Sequence, residues 1–154
     1  MTEQERIYKL REHTNNYIDP RVIDTLQFLG FFTAPAAIKH HGNYEGGLFD
    51  HSFAVAEHLD LLTKALGLRW QREGSPWIVG ILHDLCKIDN YIKDETGVWK
   101  YNDKQLINGH GEKSVIMAQQ YMALTVEEMM CIRWHMGAFD DKEHWQYYTR
   151  ACRK

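Results

Sequence analysis

The stretch Ser75-Pro76-Trp77-Ile78-Val79-Gly80-Ile81-Leu82-His83-Asp84-Leu85-Cys86-Lys87 decides how the chain is read. Ser-Pro marks a helix start, because proline already has the helical φ and its missing N–H is not needed in the first turn. Trp77, Ile78, Ile81, Leu82 and Leu85 then form a broad apolar face suited to a central, buried helix. His83 and Asp84 fall near the end of that run. Placing an imidazole and a carboxylate there costs on the order of several kcal/mol of desolvation unless something compensates. Two compensations are open: hydrogen bonds from neighbouring helix termini, or a bound cation.

Outward from this helix the chain reads as all-α. Asp19-Pro20 is an N-cap followed by proline, and Val22, Ile23, Leu26 and Leu29 keep helical spacing until Gly30. The segment FFTAPAAIKHHGNYEGG mixes proline with three glycines and predicts a long, irregular loop passing over the surface. From Leu48, the positions Val55, Leu59, Leu62 and Leu66 share one helix face, Gly67 is a C-cap candidate, and His51 lies in the first turn. YIKDETGVWKY, residues 91–101, has β-favouring residues on both sides of a turn and predicts a small hairpin inserted in the helical body. Helical signals resume after Gly109-His110-Gly111 through Val115, Met117 and Tyr121. Thr125 and Glu128 form a capping box opening a further helix that ends at His135-Met136-Gly137. A last short helix packed by Trp145 and Tyr148 is expected near the end.

Composition bounds the possibilities. The 154 residues, 44% of them apolar, suffice for a single domain spanning 1–154 with its own core. No uninterrupted apolar run reaches the length of a membrane helix, and the charged start MTEQERIYKLREHT lacks a signal-peptide centre, so a cytoplasmic protein is expected. Cys86, Cys131 and Cys152 are odd in number and far apart, which fits reduced core or incidental thiols. With 18 basic and 21 acidic side chains the net charge is −3, so no global positive field draws the protein onto a long nucleic acid. Nine histidines are the outlier.

Four of those histidines sit at helix ends: His51 at a start, His83 near an end, His110 at a start and His135 at an end. Side chains at helix termini can reach a shared cavity, which is how bundles assemble metal sites. Imidazoles with a carboxylate suit one or two divalent transition metals, Mn, Fe, Co, Ni or Zn, with Mg possible.

GGLFDHSFAV around His51, ILHDLCKI around His83 and Asp84, NGHGEKSV around His110 and IRWHMG around His135 together resemble the HD-domain superfamily of metal-dependent phosphohydrolases. The order and spacing match from roughly Phe31 to Asp140, and PAAIKHHGNYEGGLFDH is similar to a segment of bacterial and phage HD proteins related to 3′-to-5′ exoribonucleases. The resemblance implies an HD-type helical bundle. It also implies that His51, His83 and Asp84 hold one metal, with Asp84 bridging to a second held by His110 and His135. Asp84 and Lys87 are then catalytic, and His41, Lys87 and Asp140 are candidates for substrate binding. The implied reaction is hydrolysis of a small phosphorylated substrate, a nucleotide or a short nucleic-acid 3′ end, with oligomeric state open.

One family feature does not match. The usual aspartate on a later helix is not evident before Lys154, so the domain is expected to lack the family's final helix. Asp140 and Asp141 are the acidic residues that follow His135 closely. The departure leaves a second reading, a catalytically weak or inactive HD-fold protein that binds a nucleotide or regulates. His13, His58 and His144 read as surface or packing residues, and the tryptophans as core or pocket wall rather than a stacking platform.

Overall fold

Local chemistry sets the helix boundaries. The Asp19 carboxylate accepts the Arg21 backbone N–H and opens α2 (Pro20–Phe28). The Thr125 hydroxyl and the Glu128 side chain close a reciprocal capping box at the start of α7 (Val126–Trp134). Gly67, at φ +62°, ends α3 (Gly47–Leu66) in the left-handed conformation that glycine adopts without strain. The computed structural model describes residues 1–14, 16–39, 42–139 and 142–147. Among these, the other helices are α1 (Glu3–Thr14), α4 (Ser75–Leu82), the short α5 (Lys87–Asn90) and α6 (Gly111–Gln119). The chain is thus mostly helical, with one small two-stranded sheet. In that antiparallel hairpin β1 (Tyr91–Lys93) pairs with β2 (Trp99–Tyr101), Tyr91 opposite Tyr101. No described helix is long and apolar enough to cross a membrane.

The core lies where α3 and α4 cross. Phe31, Phe49, Phe53, Ile78, Ile81 and Leu85 are buried there, and Gly80 lets the two backbones touch: a Cβ on Gly80 would stand 2.4 Å from the Ala56 Cα. The segment before α3 departs from the surface loop expected of it. Phe31 and Phe32 are wholly buried, and the Phe32 ring lies 5.4 Å from that of Phe49, so the aromatic pair drives this irregular backbone inward. Its polar groups are met by α1, which the sequence pattern did not announce. The buried Arg6 guanidinium donates to the Phe32 and Glu45 carbonyls and pairs with Asp50 at 3.4 Å.

Two further buried charges join the helices that carry the histidines. Glu128, with no exposed surface, accepts from the Arg72 guanidinium and the Ser75 hydroxyl and so ties the start of α7 to the start of α4. The Lys113 ammonium, equally buried, donates to Asn90 and Gln105 and pairs with Asp89 at 2.7 Å, which fixes α6 against α5 and the hairpin's foot. Towards the end, Gly137–Phe139 and Lys142–His144 form 3₁₀ turns. Trp145 is 41% exposed and so belongs neither to the core nor to a closed pocket wall; its expected companion Tyr148 lies outside the described residues.

Candidate metal centre

Asp84 is the middle of the site. Its side chain is 4% exposed, in the turn that follows α4. His83 is the C-cap of α4, His110 the N-cap of α6 and His135 the C-cap of α7, while His51 stands near the start of α3. The α3–α4 crossing brings His51 to His83, with their Nε2 atoms 3.2 Å apart. Gly111, whose Cβ would strike the Arg133 carbonyl, lets α6 meet the end of α7 and brings the His110 and His135 rings to 4.9 Å.

The two carboxylate oxygens are divided between these pairs. Oδ2 lies 3.3 Å from the Nε2 of His51 and 3.3 Å from that of His83. Oδ1 lies 2.9 Å from the Nε2 of His110 and 3.5 Å from that of His135. All five side chains singled out in the sequence as ligands therefore meet. Lys87 joins them, its ammonium 2.7 Å from Oδ2 and its side chain 17% exposed. His41 and Asp140, read in the sequence as substrate-binding residues, lie outside the described residues, as do His40 and Asp141. His58 is exposed and its Nδ1–H donates to the Ala54 carbonyl, away from the cluster.

Hydrogen bonding fixes two of the rings. The Nδ1 of His83 lies 2.8 Å from the Gly80 carbonyl and that of His135 lies 2.7 Å from the Ile132 carbonyl. A carbonyl can only accept, so the proton sits on Nδ1 and a neutral ring keeps its lone pair on Nε2. Those lone pairs face Asp84, an acceptor against acceptors, and while the rings are neutral the buried Oδ1 is left without a hydrogen-bond partner. A divalent cation held by these groups would relieve both conflicts, and backbone carbonyls behind ligand imidazoles are the usual support of such a site. The donor set, neutral imidazoles with one carboxylate, suits the later first-row metals. His51, His83 and Asp84 form one group with atoms close enough to hold an ion. Asp84, Cys86 and His110 form another.

Charge in the cluster is tightly coupled. Protonation of the rings removes that conflict: burial pushes the Asp84 carboxyl up, but the imidazoles of His110, His135, His51 and His83, when protonated on Nε2, outweigh it and hold the group well below the usual carboxylate range. Asp84, and then Cys86 on the other side of the ring, raise His110 to about 10. A cation arriving at its Nε2 must displace a proton.

Cys86 is the residue that sequence reasoning missed. Its Sγ lies 3.2 Å from the Nδ1 of His110, and its backbone N–H donates to the Ser114 hydroxyl. The available signal was its place in the buried HDLCK run, two residues after Asp84.

Fold and cluster define a class: a helical protein with a histidine–carboxylate centre that could hold a divalent metal. Against known proteins, the chain is 33% identical over 90 residues to the dihydroneopterin 2′,3′-cyclic phosphate phosphodiesterase of Methanocaldococcus jannaschii. The match covers 54% of this chain and 34% of that protein, so this chain spans about a third of its relative's length. No family model and no solved structure matches.

Proposed function

We propose that the chain is an HD-type, metal-dependent phosphohydrolase or phosphodiesterase whose substrate is a nucleotide or a short nucleic-acid 3′ end. The observation that carries this reading is the division of the buried Asp84 carboxylate between two pairs of imidazoles. Such a layout fits two divalent ions sharing one carboxylate, His51 and His83 on one side, His110 and His135 on the other. When bound, the ions would polarise a phosphoryl oxygen and make a water nucleophilic near neutral pH. The distant phosphodiesterase relative supports the same chemistry. Its named substrate, a 2′,3′-cyclic phosphate, is itself a small phosphodiester, which favours compact substrates over long strands.

The chain's own residues have distinct tasks in this scheme. Asp84 supplies the shared negative charge, and burial keeps water from screening it. His51, with a side chain 45% exposed, forms the open side through which a substrate enters. Lys87 neutralises Asp84 at 2.7 Å. Once that charge is balanced by cations, the ammonium can turn to a non-bridging phosphate oxygen. His41 and Asp140 are proposed to meet the rest of the substrate.

The test is hydrolysis by the purified chain, supplied in turn with Mn, Fe, Co, Ni, Zn or Mg. Substrates are 2′,3′-cyclic nucleotides, dinucleotides, short oligonucleotides and a phosphomonoester. Metal-dependent turnover that vanishes in Asp84→Ala is expected. Equal turnover by the two proteins would refute the proposal, and a nucleotide retained intact with metal present would favour the regulatory reading instead.

A further inference from the structure

The three imidazoles with a defined Nδ1 contact in this cluster are not supported alike. His83 and His135 cap helix C-termini, where the last turn leaves carbonyls without intrahelical partners, and each ring uses the carbonyl three residues before it. His110 is the N-cap of α6. At that end of a helix the spare backbone groups are N–H donors, so the helix offers the ring nothing to accept its proton. The partner comes from another part of the chain: Cys86, wholly buried in the turn between α4 and α5, places Sγ 3.2 Å from the Nδ1 of His110. Cys86 is itself held from behind, since its N–H donates to Ser114 and the Asn90 amide reaches its sulfur at 3.7 Å.

On the other side of the same ring, Nε2 faces the Asp84 Oδ1 at 2.9 Å. With the rings neutral that buried oxygen lacks a hydrogen-bond partner and also faces the Nε2 lone pair of His135 at 3.5 Å, an independent sign that the spot between His110, His135 and Asp84 is shaped for a ligand. The sulfur and the carboxylate oxygen thus address opposite nitrogens of one imidazole. We propose that Cys86 is a positioning residue, accepting the Nδ1–H of His110 and thereby aiming Nε2 at the second metal position. It takes the part that backbone carbonyls play for His83 and His135. A thiol in direct coordination is the competing arrangement, because Asp84, Cys86 and His110 also lie close enough together to share an ion. The inference rests on the two-metal reading above, so its test has one arm that needs no metal.

In that arm, the metal-free wild type is labelled with 15N and the His110 Nδ1–H is sought as a slowly exchanging ring proton. It is expected in wild type and Cys86→Ser and lost in Cys86→Ala. Its absence from the wild type would overturn the proposal whatever the metal count. In the second arm, cobalt(II) is titrated into all three proteins, with circular dichroism confirming the fold. Wild type and Cys86→Ser are expected to take two equivalents without a sulfur-to-cobalt charge-transfer band. Cys86→Ala is expected to bind the second about 10–100-fold more weakly and the first unchanged. A charge-transfer band in the wild type would make Cys86 a ligand and overturn the positioning role. So would equal loss in serine and alanine variants, since serine keeps an acceptor, or two undiminished equivalents in Cys86→Ala. A wild type that keeps the protected proton yet binds fewer than two ions would instead count against the two-metal reading.

Discussion

Replacing Gly80 by alanine tests whether the α3–α4 crossing sets the first half of the site. The added Cβ would lie 2.4 Å from the Ala56 Cα and 2.6 Å from its Cβ and N. Carbon atoms prefer about 3.5–4.0 Å, so the helices must part by roughly 1 Å. The obstacle is backbone, and no side-chain rotation relieves it. Overpacking of this kind costs about 1–3 kcal/mol, while exchanging glycine for alanine in a helix returns about 1 kcal/mol. The net is a loss of up to about 2 kcal/mol, or a melting temperature lower by up to about 8 °C for a chain of this size. The effect at the site should be larger in proportion, because His51 rides on α3 and His83 on the end of α4 with their Nε2 atoms 3.2 Å apart. A separation of about 1 Å exceeds the tolerance of metal–nitrogen bonds, so the first ion should bind about tenfold or more weakly. The pair on α6 and α7 is untouched and should keep its affinity. Thermal melts with calorimetric metal titration check both statements. A Gly80→Ala protein that melts no lower than wild type and binds the first ion equally well would refute the reasoning.

Other residues give independent checks. Glu128→Ala takes away the acceptor of the Arg72 guanidinium and the Ser75 hydroxyl and the Glu128 side-chain half of the capping box, and urea unfolding should show a loss of about 1–3 kcal/mol. Burial raises the Glu128 carboxyl, but Arg72, the Thr125 N–H and Ser75 hold it below its usual 4.5. Its ionised form therefore stabilises the fold above that value, and the stabilisation fades as pH falls through the lower folded value. Wild type should accordingly lose more stability than Glu128→Gln between about pH 6 and pH 3, followed by urea melts. Lys87→Met should lower kcat/KM on the order of 100-fold while leaving metal affinity equal or stronger, because the cation competing for Asp84 is gone; weaker metal binding would contradict this. Adding a binding metal at about 100 times its Kd should stabilise the protein by about 2.7 kcal/mol, a rise in melting temperature reversed by a chelator and absent from Asp84→Ala.

The sequence announced those parts of the fold in which local and tertiary signals agree. Asp19-Pro20, the Thr125–Glu128 box and Gly67 stand where the capping chemistry put them, Ser75-Pro76 open α4 as its first two residues behind an N-cap at Gly74, and the hairpin lies within residues 91–101. Helix α1 was not legible because Ile7 and Leu10 are its only buried apolar residues. It is anchored by Arg6, a residue that reads as surface until the carbonyls of Phe32 and Glu45 are seen around it. The loop before α3 misled for the opposite reason. Its prolines and glycines describe the backbone, but Phe31 and Phe32 decide its depth.

At the site, His51, His83, His110 and His135 could be grouped because each lies at a recognisable helix end, and it was the four-motif resemblance that joined Asp84 to them as ligands. Which oxygen of Asp84 faces which pair depends on helix crossings at Gly80 and Gly111, where the informative residue is one without a side chain. Cys86 was hidden because its importance lies in what His110 lacks. Only the direction of α6 shows that the ring has no carbonyl of its own to use.

The pairing of histidines also bears on the order in which the protein folds. His51 and His83 belong to α3 and α4, and His110 and His135 to α6 and α7, so each half of the centre closes between helices adjacent in the chain. Contacts between neighbouring helices form early because little loop entropy opposes them. Each half can therefore take shape in its own helical hairpin, and Asp84, at the seam, is the point where the two hairpins register against each other.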